Sequence, residues 1–348
     1  MPNEFTSHNR ERRRFLKTTG TVVTAASIGL SGCTGNGDEN GADDSNDTGN
    51  GEESYPADDI RWVVPYGAGG GFDVYARAFA EFMPAYLPND INIIVDNVTG
   101  AGGQTGATET FRADPDGYTI GMWNIPGFAV AQLLGDVNYD VETVSMVGRI
   151  SAQEYLLVVR DESDFETIED VIDAEEVSLA DTGPPATGFI VNLIGSEGLG
   201  INANIITGYE GTQDALTGVL RGDADARFAN VGDLAQLVSD GELRPLVTTG
   251  TEAPSFAPDT PTVADLGHEE LEVLRVQFLA GGPPEIDSDR LDILQSAFMD
   301  AIESDEMQQW SDDNDMGLTP ADGDRAGEIA QDSLEVFGQY RDLLEEHM

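Results

Sequence analysis

The stretch that most narrows what this chain folds into runs from Ile60 to Phe82. It holds an apolar run IRWVVPY, five glycine and alanine residues GAGGG, then FDVYARAFAEF. The first part has strand composition, the second has backbone freedom, and the third repeats Tyr75, Ala78, Phe79 and Phe82 at helical spacing. The order is strand, glycine loop, helix, with the helix predicted to start near Asp73. Asp73 is placed to cap the first turn, and Arg77 with Glu81 is predicted to form an i,i+4 pair on the outer side. The head of such a helix offers unpartnered N–H groups and the positive end of its dipole, which suits an anion. The nucleotide readings fail. A P-loop needs Lys-Ser or Lys-Thr after its last glycine, and a dinucleotide fingerprint from Gly67 needs glycine where Phe72 stands. A strand-to-helix turn without a ligand is the plainer alternative.

Further strand-like runs, INIIVDNV, YTIGMW, EYLLVV, VSLA, ANIIT and LRPLVTT, alternate with helical patterns, which argues an α/β fold. Helices are expected to close the chain, from Arg290 through LDILQSAFMDAIE and from Arg325 through EIAQDSLEVFGQYRDLLEE. The roughly 290 residues beyond Tyr55 are too many for one small core and suit two lobes.

The amino terminus reads RRRFLK, then the modestly apolar TTGTVVTAASIGLSG, then Cys33. Arg12 and Arg13 with the short apolar stretch resemble a twin-arginine export signal, and Leu30-Ser31-Gly32-Cys33 resembles a lipobox in which Cys33 is acylated. The apolar part is too short to span a membrane. Cys33 is the one cysteine of the chain, so no disulfide forms. The following TGNGDENGADDSNDTGNGEES has no large apolar residue and reads as a solvated acidic tether.

The chain carries 17 basic and 65 acidic residues; the leader through Gly32 holds five and two of these, leaving 12 against 63. Such self-repulsion is relieved where molar salt shortens the Debye length to about 3 Å, which suits the exported protein of a halophile. Nucleic acid is disfavoured as a partner. The three histidines, His8, His268 and His347, are too scattered for a metal site, and no cofactor motif stands out. There is no Gly-x-Ser-x-Gly and no Cys-His pair, so nucleophilic catalysis has no visible machinery.

Several motifs in order resemble the substrate-binding proteins of the tripartite tricarboxylate transporter family. IRWVVPYGAGGGFDVYAR, VDNVTGAGGQTGA, DPDGYTI, VNYDVETVSMVGRI, GYEGTQDALTGVLRGDADARF, SDGELRPLVTTGTE, PDTPTVADLG and TPADGDRAGEI follow one another over residues 56 to 340. The resemblance, together with the amino-terminal signals and the charge, implies a lipoprotein of haloarchaeal type. The fold implied is that of a two-lobe, type II periplasmic binding protein, with a ligand cleft between lobes. The organisation expected is a signal at 1–32, a tether at 33–55, lobe one at 56–152 plus 276–348, and lobe two at 153–275.

The resemblance also implies a function. The expected protein is not an enzyme: anchored by lipid outside the cell membrane, it captures a small organic carboxylate and delivers it to a membrane permease. The alternatives are a secreted hydrolase using paired carboxylates and a binding protein that signals to a sensor kinase. The ligand residues it implies in lobe one are Tyr66, Gly67, Ala68, Gly69, Gly70, Gly71, Phe72 and Asp73. Phe72 replaces a small residue, either as an apolar wall or as loop packing. Asn124 follows the YTIGM strand, next to Trp123, a residue type more often found in a core. From lobe two come Thr182, Gly183, Thr187 and Gly188 in DTGPPATG, where Phe189 replaces the family's histidine; the loop's plainer reading is a rigid turn. Tyr209 matches the family's Tyr-x-Gly turn. Asp225 is read either as holding a bridging water or as a strand-end cap. Arg227 beside it is the nearby cation able to reach the cleft.

Overall fold

The computed structural model of the protein describes residues 55 to 348 apart from Asp136, Pro185 and Asp315. Arg12, Arg13, Cys33 and nearly all of the tether lie outside the described residues.

The chain opens with strand β1 (Ile60–Val64), helix α1 (Gly71–Phe82), β2 (Ile93–Asn97), α2 (Gln104–Phe111), β3 (Thr119–Ile125), α3 (Gly127–Leu133) and β4 (Ser145–Gln153). After Glu154 it continues as β5 (Tyr155–Arg160), α4 (Ile168–Ile172), β6 (Val177–Ala180), α5 (Thr187–Leu199), β7 (Ala203–Ile206), α6 (Thr212–Arg221), β8 (Ala226–Asn230), α7 (Ala235–Ser239) and β9 (Leu243–Thr248). It closes with β10 (Val276–Gly282), α8 (Ser288–Ile302), α9 (Asp305–Asn314), β11 (Ala321–Asp322), α10 (Gly323–Gln339) and α11 (Arg341–His347).

Two sheets result, the mixed α/β fold of a two-lobe, type II binding protein. The first has the order β11-β4-β10-β3-β1-β2 and the second β7-β6-β8-β5-β9. In the first, β1 runs parallel to β2 and β3 while β10 runs antiparallel to β3 and β4. In the second, β6 runs parallel to β7 and β8, and β5 antiparallel to β8 and β9. The chain changes sheet twice, between β4 and β5 and between β9 and β10. The parallel strands of each sheet deliver their carboxyl ends, with the loops that follow, to the ligand side of an open α/β sheet.

The apolar spacing of α1 has the expected outcome. Tyr75, Ala78 and Phe79 are buried; Phe79 packs on Trp62 of β1 with ring centroids 5.5 Å apart and stacks on Phe298 of α8 at 4.6 Å. The helix begins at Gly71, with Gly70 as an N-cap that supplies no side-chain hydrogen bond. The carboxyl-terminal pattern divides into α10 and α11 at Tyr340, and α9 is an element the sequence reading did not contain.

The glycines of the VTGAGGQTGA motif serve contact. Gly103 has φ +97°, and a Cβ there would lie 3.0 Å from both the Tyr66 and Phe128 rings. The head of α2 therefore sits directly on Tyr66.

Asp73 departs from its expected role. Its carboxylate is almost fully buried and accepts from the Gly69 N–H (2.8 Å), from Arg77 Nε and Nη2 (2.9 and 2.8 Å) and from Asn97 Nδ2 (2.9 Å). The predicted Arg77–Glu81 pair gives way to Arg77–Asp73, because a buried carboxylate needs a partner and the exposed Glu81 has water. These bonds, the Arg77 guanidinium foremost, hold the Asp73 carboxyl down at about 2. A depressed carboxyl pKa stabilises the fold above the ordinary carboxylate range and loses that contribution as pH falls through the folded value. Replacing Asp73 with Asn should flatten the stability profile between about pH 4 and pH 2. The loss at neutral pH should be at most about 2 kcal/mol, reduced by solvent around the half-exposed Arg77. Denaturant titrations of both proteins across that pH range provide the check, and parallel profiles would remove the assignment.

Candidate ligand site

The two sheets meet at a cavity of about 570 Å³. Its walls are formed by residues at strand ends and helix heads: Tyr66 after β1, Asn124 in β3, Thr182 and Gly183 after β6, and Tyr209 after β7. Gln104 heads α2, Thr187 heads α5, and Glu210 lies just before α6. The first N–H groups of α5 have no side-chain cap, so its head presents donors and a positive dipole end, whereas at the head of α2 the Gln104 and Thr105 N–H groups are taken by Ala101 O and Gly100 O. Among the described residues the walls hold no Arg, Lys or His, and Glu210 is their one acidic side chain.

Asn124 joins the lobes across this space. Its Nδ2 donates to Tyr66 Oη at 2.6 Å and to Thr187 Oγ1 at 3.4 Å. A Cβ at Gly127 would lie 3.1 Å from Asn124 Nδ2 and 3.4 Å from Thr187 Oγ1, so glycine at the head of α3 leaves room for that contact. Asn124 Oδ1 is buried and has no hydrogen-bond partner among the described residues. Burial pushes the Tyr66 phenol up to about 12, opposed by its bond with Asn124, which leaves it a neutral hydroxyl in the cavity wall.

The residues taken from the resemblance divide into two groups. Tyr66, Asn124, Thr182, Gly183, Thr187 and Tyr209 converge on the cavity. Gly67, Ala68, Gly69, Gly70 and Gly71 form an exposed loop beside it, outside its walls. Phe72 packs the loop down, its ring 4.8 Å from Tyr66 and 4.3 Å from Phe278. Asp73 turns inward, as described. Gly188 lies against the chain's own ion pair, where a Cβ would stand 3.2 Å from Arg227 Nη2 and from Asp181 Oδ2. Asp225 is exposed and bonds Ser178, N at 2.9 Å and Oγ at 2.5 Å, at the start of β6 and β8. That is the end of the sheet opposite Thr182, so Asp225 ties strand ends together. Phe189 and Trp123 are core residues, Trp123 Nε1 donating to Gly281 O.

Arg227 likewise turns away from the cavity. It is buried, pairs with the buried Asp181 at 3.2 Å and donates to Ala180 O at 2.8 Å. Asp181 also accepts from Gly183 N–H (3.1 Å) and Asn192 Nδ2 (2.7 Å), so the pair supports the loop that carries Thr182 and Thr187. The donor set repeats that around Asp73: a glycine N–H, an arginine and an asparagine amide on one buried aspartate in each lobe.

The sequence reading missed Gly102, Gln104, Gly127, Phe128, Ala131, Leu134, Ala186 and Ile190 in the walls. The spacing of Gly127, Ala131 and Leu134 along one stripe of α3 was the available signal.

Comparison with known proteins decides the family. Residues 76–342 match the model of the tripartite tricarboxylate transporter family receptor, TctC. The chain belongs to that family. It is 28% identical over 228 residues to a UPF0065 protein of Agrobacterium vitis, covering 64% of this chain and 65% of that protein, just under two thirds. It is 26% identical to Protein BugT of Bordetella pertussis over 72% of this chain and 78% of that one. A TctC solute-binding protein from Polaromonas, solved without ligand, matches with a TM-score of 0.74 at 22% identity, over 84% of this chain and 100% of that one. MatC from Rhodopseudomonas palustris, solved with malate, matches at 0.60 and 21%, over 83% and 100%. These structural matches establish the fold. Among the described residues no helix is long and apolar enough to cross a membrane, and no cluster of His, Cys, Asp and Glu is arranged to hold a metal.

Removing one partner of a buried ion pair leaves an uncompensated charge and costs roughly 3–5 kcal/mol. Arg227→Gln should therefore lower unfolding free energy by about that amount, while ligand affinity of the protein that remains folded should fall only modestly, through the loosened loop that carries Thr182 and Thr187. Denaturant titration beside calorimetry tests this; a stable variant that has lost affinity would place Arg227 in ligand contact.

Proposed function

We propose that the protein is an extracytoplasmic receptor that captures a small organic carboxylate between its lobes and delivers it to a membrane permease of the tripartite tricarboxylate type. The observation that carries this reading is the cavity between the sheets, lined by neutral donors and helix heads. Tyr66, Asn124, Thr182, Gly183, Thr187 and Tyr209 form the binding groups, and the glycine loop from Gly67 to Gly71 with Phe72 and Asp73 holds Tyr66 in position. A carboxylate accepts hydrogen bonds and cannot satisfy Asn124 Oδ1. With the amide turned over, Tyr66 Oη–H donates to Oδ1 and the Nδ2 group faces the ligand.

The lobes we assign are 56–152 with 276–348, and 153–275, hinged where the chain changes sheet. Malate and adipate, bound in structures from Rhodopseudomonas palustris, indicate the size of ligand such a fold accommodates. Export by the twin-arginine machinery through Arg12 and Arg13, and lipid attachment at Cys33, rest on the amino-terminal sequence. They place the receptor on the outer face of the membrane, and its excess of acidic residues suits a saline exterior.

Hydrogen bonds to a charged group contribute about 1.5–3 kcal/mol each. In a calorimetric panel of small organic acids at molar salt, Asn124→Leu and Thr187→Val should each weaken the best acid by about 10- to 100-fold while the melting temperature stays near that of the parent. A folded protein that binds no acid, or one that turns over an ester or glycoside, would reject the receptor reading.

A further inference from the structure

The cavity is polar at one end and apolar at the other, and both lobes contribute to the gradient. On α3, Gly127 stands beside Asn124 and Thr187 at the polar end, and Ala131 and Leu134 follow at i+4 and i+7 along the same stripe. At 1.5 Å per residue the stripe runs about 10 Å away from the donors. On α5, Thr187 heads the helix and Ile190 follows at i+3. Thus α5 offers hydrogen-bond donors at its head and hydrocarbon in the next turn, and α3 carries its hydrocarbon stripe away from Asn124. Among the described residues no cationic side chain stands on the walls, and their one acidic side chain, Glu210, opposes any second negative charge. Gln104 and Tyr209 are neutral and have no countercharge to give.

We propose that the occupant is an amphipathic monocarboxylate: one carboxylate at Asn124, Thr187 and the head of α5, and an uncharged hydrocarbon body lying along Ala131, Leu134 and Ile190. This inference rests on the receptor reading above and narrows it. A tricarboxylate, or a dicarboxylate extended along the same axis, would bury its second charge against Leu134 and Ile190, where desolvation is uncompensated. Each methylene buried against that wall contributes about a fourfold gain in affinity.

The test is calorimetry at molar salt with three series: straight-chain monocarboxylates of rising length, the dicarboxylates of equal length, and citrate. Affinity should rise about fourfold per methylene until the cavity is filled, with each matched dicarboxylate at least tenfold weaker and citrate weaker still. Leu134→Arg, which places a cation at the apolar end, should reverse the order in favour of the dicarboxylate. If that variant does not fold, Ile190→Thr should flatten the dependence on chain length in the monocarboxylate series. Dicarboxylates or citrate binding as tightly as matched monocarboxylates would overturn this inference and leave the carboxylate receptor standing. A chain-length slope in Ile190→Thr equal to that of the parent would also overturn it. No binding of any acid to the folded parent would overturn both.

Discussion

A buried aspartate holds the cleft loop in each lobe, and the rest of the site is built on those two anchors. Asp73 gathers Gly69 N–H, Arg77 and Asn97; Asp181 gathers Gly183 N–H, Arg227 and Asn192. A carboxylate taken out of water is tolerable only when donors surround it, and these do. The result is a pair of loops whose backbones are set before any ligand arrives. Preorganised donors lose less entropy on binding than mobile ones.

The anchors have a chemical consequence. Cations are few in this chain, and the two arginines nearest the cleft loops are each bound to a carboxylate of the chain itself. On the proposed receptor reading, anion capture falls to neutral groups: hydroxyls, amides and the first N–H groups of α5. Short hydrogen bonds inside a closed cavity are screened by salt far less than exposed ion pairs.

Local patterns carried much of this in the sequence. The strand, loop and helix order at Ile60 to Phe82 could be read from spacing, as could the alternation that builds two sheets. Tyr66, Thr182, Gly183, Thr187 and Tyr209, which follow a strand or head a helix, and Asn124, near the end of β3, were reachable through the resemblance. What could not be read was direction. Whether Asp73 turns out to a ligand or in to Arg77 depends on Asn97, 24 residues away. Arg227 was set beside Asp225 by sequence, yet Asp225 lies exposed before β8 begins while Arg227 is buried within the strand, and its partner Asp181 arrives from the end of β6. Asp225 lies at the wrong end of β8 because parallel strands β6 and β8 fix which end faces the cleft. The apolar wall was missed since Ala131, Leu134 and Ile190 read as ordinary core on helices of unknown placement.

The proposed site requires that a carboxylate be held between the lobes by neutral donors alone. A crystal structure of the protein with a bound organic acid tests it directly. The account expects the carboxylate oxygens within hydrogen-bond distance of Asn124 Nδ2 and of the hydroxyl or first-turn N–H groups at Thr187, with Asp73–Arg77 and Asp181–Arg227 intact. A carboxylate paired with either arginine, its aspartate displaced, would contradict it.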